Sequence, residues 1–333
     1  MGTNLGVLCV FRVTASESLL FAVLVPVVFV GSLYVWDLFG FPNKDRESLP
    51  VVLRRFASLM VVCAAAGAVC VSFARPVSED AETHTANGER IPQGTVAELL
   101  GIAVDLPLAL KSAVTGLLSF VILFLGPLSV AVAEIWADPP PRSSLPFSFL
   151  PLPVRRLLGG VWLAVLENIG GDEGSRVALL RNVILAPLTE EWMFRCCTVP
   201  LLLSGGWPPW FAVFVSPLFF GLAHLHHLPQ LAATYGSYVP AAVAVLFQLV
   251  YTSVFGAWAA FLFYRCGHSA GPLVLHTVCN WHGLPNLGFL KKGRSPLYER
   301  RTIFLLVYGV GILLFAFALN PLTEDFKSPF RIH

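Results

Sequence analysis

Apolar residues in this chain fall in long unbroken runs, with polar residues gathered between them. Eight runs approach the ~20 residues that cross a bilayer as a helix: 19–36, 56–74, 112–136, 177–203, 207–227, 240–264, 268–290 and 302–319. The expected fold is therefore all-α, a polytopic membrane protein of about eight transmembrane helices. Residues 31–36 make a poor small-residue cleavage site, so the first run reads as a retained span. The stretch 94–110 is apolar but broken by Glu98, Asp105 and Pro107, which predicts an interfacial or re-entrant helix rather than a crossing. A proline-rich loop opens at Pro139, 157–169 reads as an amphipathic surface helix, and 170–174 as a turn. Three regions follow: N-terminal spans and loops over 1–175, a denser membrane core over 176–292, and a last span and tail over 293–333.

Charge gives these runs a direction. The basic loops 44–55, 142–181 and 291–301 fall on one side for eight spans, and the acidic loop 75–93 falls on the other. One span more or fewer would divide the basic loops, and lysine and arginine mark the cytosolic side. The N-terminus then lies across the membrane, with Trp136, Trp207, Trp210 and Trp281 as interfacial anchors.

Composition agrees: of 333 residues 56% are hydrophobic and 13% charged, with a mean hydropathy of +0.73. That excludes an ordinary soluble domain. A net charge of +2 without a basic stripe gives no footprint for nucleic acid. The seven cysteines include no CxxC and lie mostly in apolar runs, which fits reduced thiols.

Four polar groups stand where lipid-embedded helices are expected. A charge at that depth costs several kcal/mol unless it is paired, solvated or functional. In Glu190-Glu191-x-x-x-Arg195, Glu191 and Arg195 are one helical turn apart and can pair. Glu190 points elsewhere and is a candidate general base; the plainer reading is an ion pair that fixes helix register. His224 follows Phe220 by one turn and could orient or deprotonate a water, while His226 and His227 read as interfacial. His276 and Asn280 share a helix face, either as two N–H donors to an oxyanion or as an interhelical hydrogen-bonded pair. Gln248, Tyr251 and Thr252 form the weakest group. Together Glu190, His224, His276 and Asn280 make a hydrolytic constellation without a serine or cysteine nucleophile. Two rivals use the same residues. Zinc is one, although there is no HExxH and the 224–227 histidines would have to reach round both sides of one helix. A proton-coupled transporter is the other.

The EExxxR run at 190–195, FxxxH at 220–224 and HxxxN at 276–280 resemble the type II CAAX prenyl endopeptidases. The local sequences 186–191, 220–227 and 251–257 are similar to the eukaryotic branch, and the likeness covers about 177–290. The resemblance implies a helical bundle around a cavity open to the cytosol and to lipid, in the endoplasmic reticulum membrane. It implies removal of the last three residues from prenylated CAAX-terminal proteins such as small GTPases, without a metal or other cofactor. It assigns water activation to Glu190 and His224, the oxyanion pair to His276 and Asn280, and supporting positions to Glu191, Arg195, Phe220 and Tyr251.

Overall fold

The computed structural model describes residues 7–41, 48–77, 90–137, 173–293 and 295–331. The surface helix expected at 157–169, the proline-rich loop before it and the start of the turn at 170 lie outside them. The described part is helical apart from one small antiparallel pairing, β1 (Cys9–Phe11) with β2 (Ala74–Pro76).

Helix α1 (Ala15–Leu38) begins at a capping box in which Thr14 accepts from the Glu17 N–H and Glu17 accepts from the Thr14 N–H, as this residue pair favours. Helix α2 (Leu49–Phe73) returns beside it. The residues that break the run at 94–110 turn out to be helix-starting signals. Glu98 completes a second capping box with Thr95 on the four-residue α3 (Val96–Leu99). Asp105 caps α4 (Leu106–Leu123), with Pro107 in the first turn, where its missing N–H costs nothing. The membrane helix thus starts at Leu106 instead of 112, and the expected interfacial helix shrinks to one turn. At Phe124 (φ −88°, ψ 17°) the α pattern is interrupted for one residue, and α5 (Leu125–Ala137) completes this pass.

Residues 173–204 form one continuous helical pass, α6, which is not uniformly α. Segments Glu173–Leu179, Ala186–Glu191 and Thr198–Ser204 are separated by π turns at Leu180–Leu185 and Trp192–Cys197. Helix α7 (Phe211–Tyr235) contains a 3-10 turn at His224–His227. It ends at Gly236, whose φ of 66° suits glycine. Helix α8 (Tyr238–Cys266) is followed by α9 (Ala270–His282), and α10 (Arg301–Leu322) closes the chain.

Among the described residues, six helices are long and apolar enough to cross a membrane: α1, α2, α4, α7, α8 and 298–322. The run at 177–203 is helical as expected but carries Glu190, Glu191 and Arg195. The run expected over 268–290 is α-helical for 13 residues, with a separate 3-10 turn at Gly288–Leu290. The α-helix stops at Gly283, which adopts φ 70° and is followed by Pro285. Outward side chains are largely apolar, for example Val27 at 64% and Phe317 at 77% exposure, which suits a hydrocarbon surrounding.

Hydrogen bonds tie the helix ends into two groups. At one end Trp207 Nε1 donates to Ala15 O (3.0 Å), Ser269 N to Gly101 O (2.8 Å) and Arg265 Nε to Thr323 Oγ1 (2.9 Å). At the other, Trp36 Nε1 donates to Arg54 O (2.9 Å) and Asn280 Nδ2 to Asn182 O (2.8 Å). Successive passes therefore run in alternating directions.

Helix α9 is held by small residues on α4. Ser112 Oγ accepts the Gly271 N–H (3.0 Å) and donates to His268 O (3.2 Å). A Cβ placed on Gly116 would lie 2.4 Å from Gly271 O, so the backbones touch as small-residue membrane interfaces allow. Gly116→Leu is expected to push α9 off α4 and lower the unfolding midpoint in detergent by many degrees, whereas Leu117→Ala on the outward face should leave it within a degree or two. A midpoint unchanged in Gly116→Leu would refute this packing account.

Candidate active site

The site is built on the short α segment of α6 between its two π turns. Neighbouring residues on a helix differ by about 100° in direction, so Glu190 and Glu191 face different surroundings. Glu191 is 2% and Arg195 1% exposed, and Arg195 Nη1 donates to Glu191 Oε1 at 3.1 Å. The pairing expected from the spacing is present. Arg195 also donates from Nη2 to Gly256 O (3.4 Å), and its guanidinium lies over the rings of Phe220 (5.2 Å) and Phe255 (5.7 Å). Gly256 makes this fit possible, since a Cβ there would meet Pro217 at 2.8 Å and Arg195 Nη2 at 3.4 Å.

His276 joins the same cluster from α9. Its Nδ1 lies 2.6 Å from Glu191 Oε1 and its Nε2 3.7 Å from Glu190 Oε2, with the ring against Phe255. A carboxylate only accepts, so Nδ1 carries the proton. This changes the neutral two-donor picture of His276: a neutral ring protonated at Nδ1 has no N–H at Nε2. Only the imidazolium can donate from Nε2, and in that state two carboxylates face two cations. Asn280, one turn further along, donates to Asn182 O and is exposed. One amide hydrogen of its NH₂ group makes that bond.

Glu190 differs from its neighbour. Its side chain is 18% exposed and lines a cavity of about 500 Å³ together with His224. The cavity wall is mostly apolar, with Phe29, Leu33, Leu59, Phe194 and Phe220 among its members. His224 Nδ1–H donates to Phe220 O at 3.2 Å. A carbonyl can only accept, so in the neutral ring the Nε2 lone pair is the basic position. Phe220, 4% exposed, stands between Arg195 and His224, edge-on to the imidazole at 5.2 Å.

The 3-10 turn at 224–227 brings His226 and His227 into the same wall. Their place in this wall is additional to the interfacial position expected from the sequence. His276 and Asn280 are not among the residues lining this cavity. Tyr251 is 38% exposed on α8, one turn before Phe255, with its ring against Phe247. Thr252 donates to Gln248 O within its own helix (2.8 Å). Sequence reasoning passed over Arg55, Arg181, Asn182 and Gln230, all in the cavity wall. Both arginines had been counted only as loop charge. Among the described residues, no three His, Cys, Asp or Glu side chains converge as a metal site requires.

These residues fall inside a recognisable family segment. The type II CAAX prenyl endopeptidase Rce1-like family model matches residues 173–282. Human CAAX prenyl protease 2 is 34% identical over 301 residues, which is 89% of this chain and 78% of the human one. The rat protein of the same name is 30% identical over 300 residues, 89% of this chain and 76% of its own. That of Arabidopsis thaliana is 42% identical over 151 residues, 45% and 46% of the two chains. No solved structure matches the chain. With likeness to the human protein running along most of both chains, and the carboxylate–arginine–histidine cluster lying within the matched segment, this protein belongs to the type II CAAX prenyl endopeptidases.

Proposed function

We propose that the chain is an intramembrane endopeptidase that removes the aaX tripeptide from isoprenylated CAAX proteins, with Glu190 and His224 activating the water. Membership of the family carries CAAX prenyl endopeptidase activity as the function; the assignment of roles is a reading of the site. One observation carries it: of two adjacent carboxylates, Glu191 is committed to Arg195 and His276, while Glu190 reaches a cavity that it shares with a histidine whose basic nitrogen is Nε2.

In this reading a water between Glu190 and His224 gives up a proton as its oxygen adds to the carbonyl carbon of the prenylated cysteine. The C–N bond to the next residue then breaks, and the proton passes to the departing amine. His276, as imidazolium, and the second amide hydrogen of Asn280 are the donors proposed for the oxyanion. His276 is held through Nδ1 and Asn280 through one amide hydrogen, so in this scheme Nε2 and the second amide hydrogen serve the substrate carbonyl. Glu191 and Arg195 hold His276, and Phe220 backs both Arg195 and His224. The residues perform these steps without a metal or other cofactor.

The substrate suits the setting. A prenyl chain stays in the bilayer at about 0.8 kcal/mol per buried methylene, so the scissile bond is delivered beside a helix bundle that holds its water internally. Placement in the endoplasmic reticulum membrane, with eight crossings and the basic loops cytosolic, completes the proposal. Purified protein in lipid, given a farnesylated CAAX peptide, should release the tripeptide, and the unprenylated peptide should be cut at least about tenfold less efficiently, one decade being 1.4 kcal/mol of lipid anchoring. Equal cleavage of both, or of neither, would count against this function.

A further inference from the structure

The scheme above gives no task to two cations in the cavity wall. Arg55 comes from α2 and Arg181 from the first π turn of α6. Both lie towards the end of the bundle where Trp36 meets Arg54 and Asn182 meets Asn280. Each guanidinium has a fixed support. That of Arg55 lies over the ring of Tyr34 (5.9 Å), which in turn stands edge-on to His226 at 5.9 Å. Arg181 Nε–H donates to Asn182 Oδ1 at 2.9 Å.

Their separation from the water-activating carboxylate has a meaning. Arg181 and Glu190 are nine residues apart on one helix, about 13 Å of rise. An extended tripeptide covers about 10–11 Å at 3.3–3.6 Å per residue. A substrate cut at Glu190 and lying along α6 therefore ends within an arginine side chain's reach of Arg181. That end carries a carboxylate, which is costly to take out of water without a partner. Arginine is the side chain best shaped to receive it, through paired N–H donors.

We infer that Arg55 and Arg181 bind the free C-terminal carboxylate of the substrate and so fix the cleavage point three residues from the chain end. This rests on the endopeptidase reading and adds to it a basis for counting residues. Side-chain pockets for the aaX residues then modulate cleavage, and the terminal charge sets its register.

The test compares three farnesylated peptides on the full-length protein in lipid: one ending in a free acid, the same peptide as its C-terminal amide, and one lengthened by a residue. The wild type should favour the acid over the amide by about 10- to 100-fold in kcat/KM, the range of a hydrogen bond to a charged group. In the double variant Arg55→Gln/Arg181→Gln the acid should fall to the level of the amide, and the amide rate should stay unchanged. Arg181→Lys should keep part of the preference. The lengthened peptide should be cut poorly by the wild type and relatively better by the double variant. The unchanged amide rate shows that the variant is folded and its water-activating groups intact. A double variant that keeps the wild-type preference, or loses acid and amide cleavage equally, overturns the inference. A wild type that cuts both peptides equally well overturns it too, while leaving the endopeptidase reading in place. A wild type that cuts none of the three would overturn the endopeptidase reading itself, and the inference with it.

Discussion

Glu190→Gln will lower tripeptide release by about 10²- to 10⁴-fold, the usual contribution of a general base, and leave the protein folded. The substitution keeps the volume of the side chain and removes only its basicity. Glu190 is the partly exposed member of the pair, and His276 Nε2 stands 3.7 Å from it, beyond a good hydrogen bond. Little stability should therefore depend on its charge. His224→Ala should lose activity in the same assay, since it takes away the Nε2 acceptor facing the same cavity. Tripeptide release at wild-type rates by both variants would dispose of the proposed roles, and an unfolding midpoint that dropped with the activity in Glu190→Gln would mark that residue as structural.

Arg195→Met is expected to behave in the opposite way, with stability failing first. Removing one partner of a buried ion pair costs about 3–5 kcal/mol because the other charge is left behind. Glu191 would then keep only the His276 contact, with its Oε2 already lacking a hydrogen-bond partner. The loss should appear as a lower unfolding midpoint in detergent and a smaller folded yield. A second substitution separates charge from packing. Adding Glu191→Gln to Arg195→Met removes the stranded carboxylate, so the double variant should recover part of the loss. The coupling between the two changes, read from a double-mutant cycle, is the measure of the pair. A single Arg195→Met as stable as the wild type would show that this cluster does not hold the site together.

Much of this arrangement was legible in the order of residues, and the boundary of what was legible has physical causes. The run lengths at 19–36, 56–74, 240–264 and 302–319 lead to α1, α2, α8 and α10 because lipid-facing helices announce themselves by length and apolarity alone. The four-residue spacing of Glu191 and Arg195 led directly to their ion pair. What misled was the double meaning of polar residues. Glu98 and Asp105 looked like interruptions of a membrane run and are helix caps. The run at 268–290 is α-helical only as far as His282, an end that hydropathy misses because it ignores the glycine at 283.

The site itself was harder to read. Spacing can put His276 and Asn280 on one face, but it cannot say what that face meets, and His276 meets two glutamates from α6. Nor can periodicity anticipate a change of helical pitch. The histidines at 226 and 227 line the cavity from a 3-10 turn, where the 3.6-residue period of the rest of α7 does not hold. Arg181 was hidden for a related reason: at the edge of a basic loop, an inward-facing cation looks like any other topological signal.

The brevity of α9 has one more consequence. Its 13 residues give about 20 Å of length, against about 44 Å for the 29-residue α8 beside it. The returning helix is therefore less than half as long as its neighbour, and beyond it the run to 290 holds only a 3-10 turn at Gly288–Leu290. A hydrocarbon layer of about 30 Å is thicker than this helix is long, and backbone outside a helix at that depth needs protein or solvent around it. Residues 283–287 are exposed, so this corner of the bundle suits the wet headgroup layer better than oil.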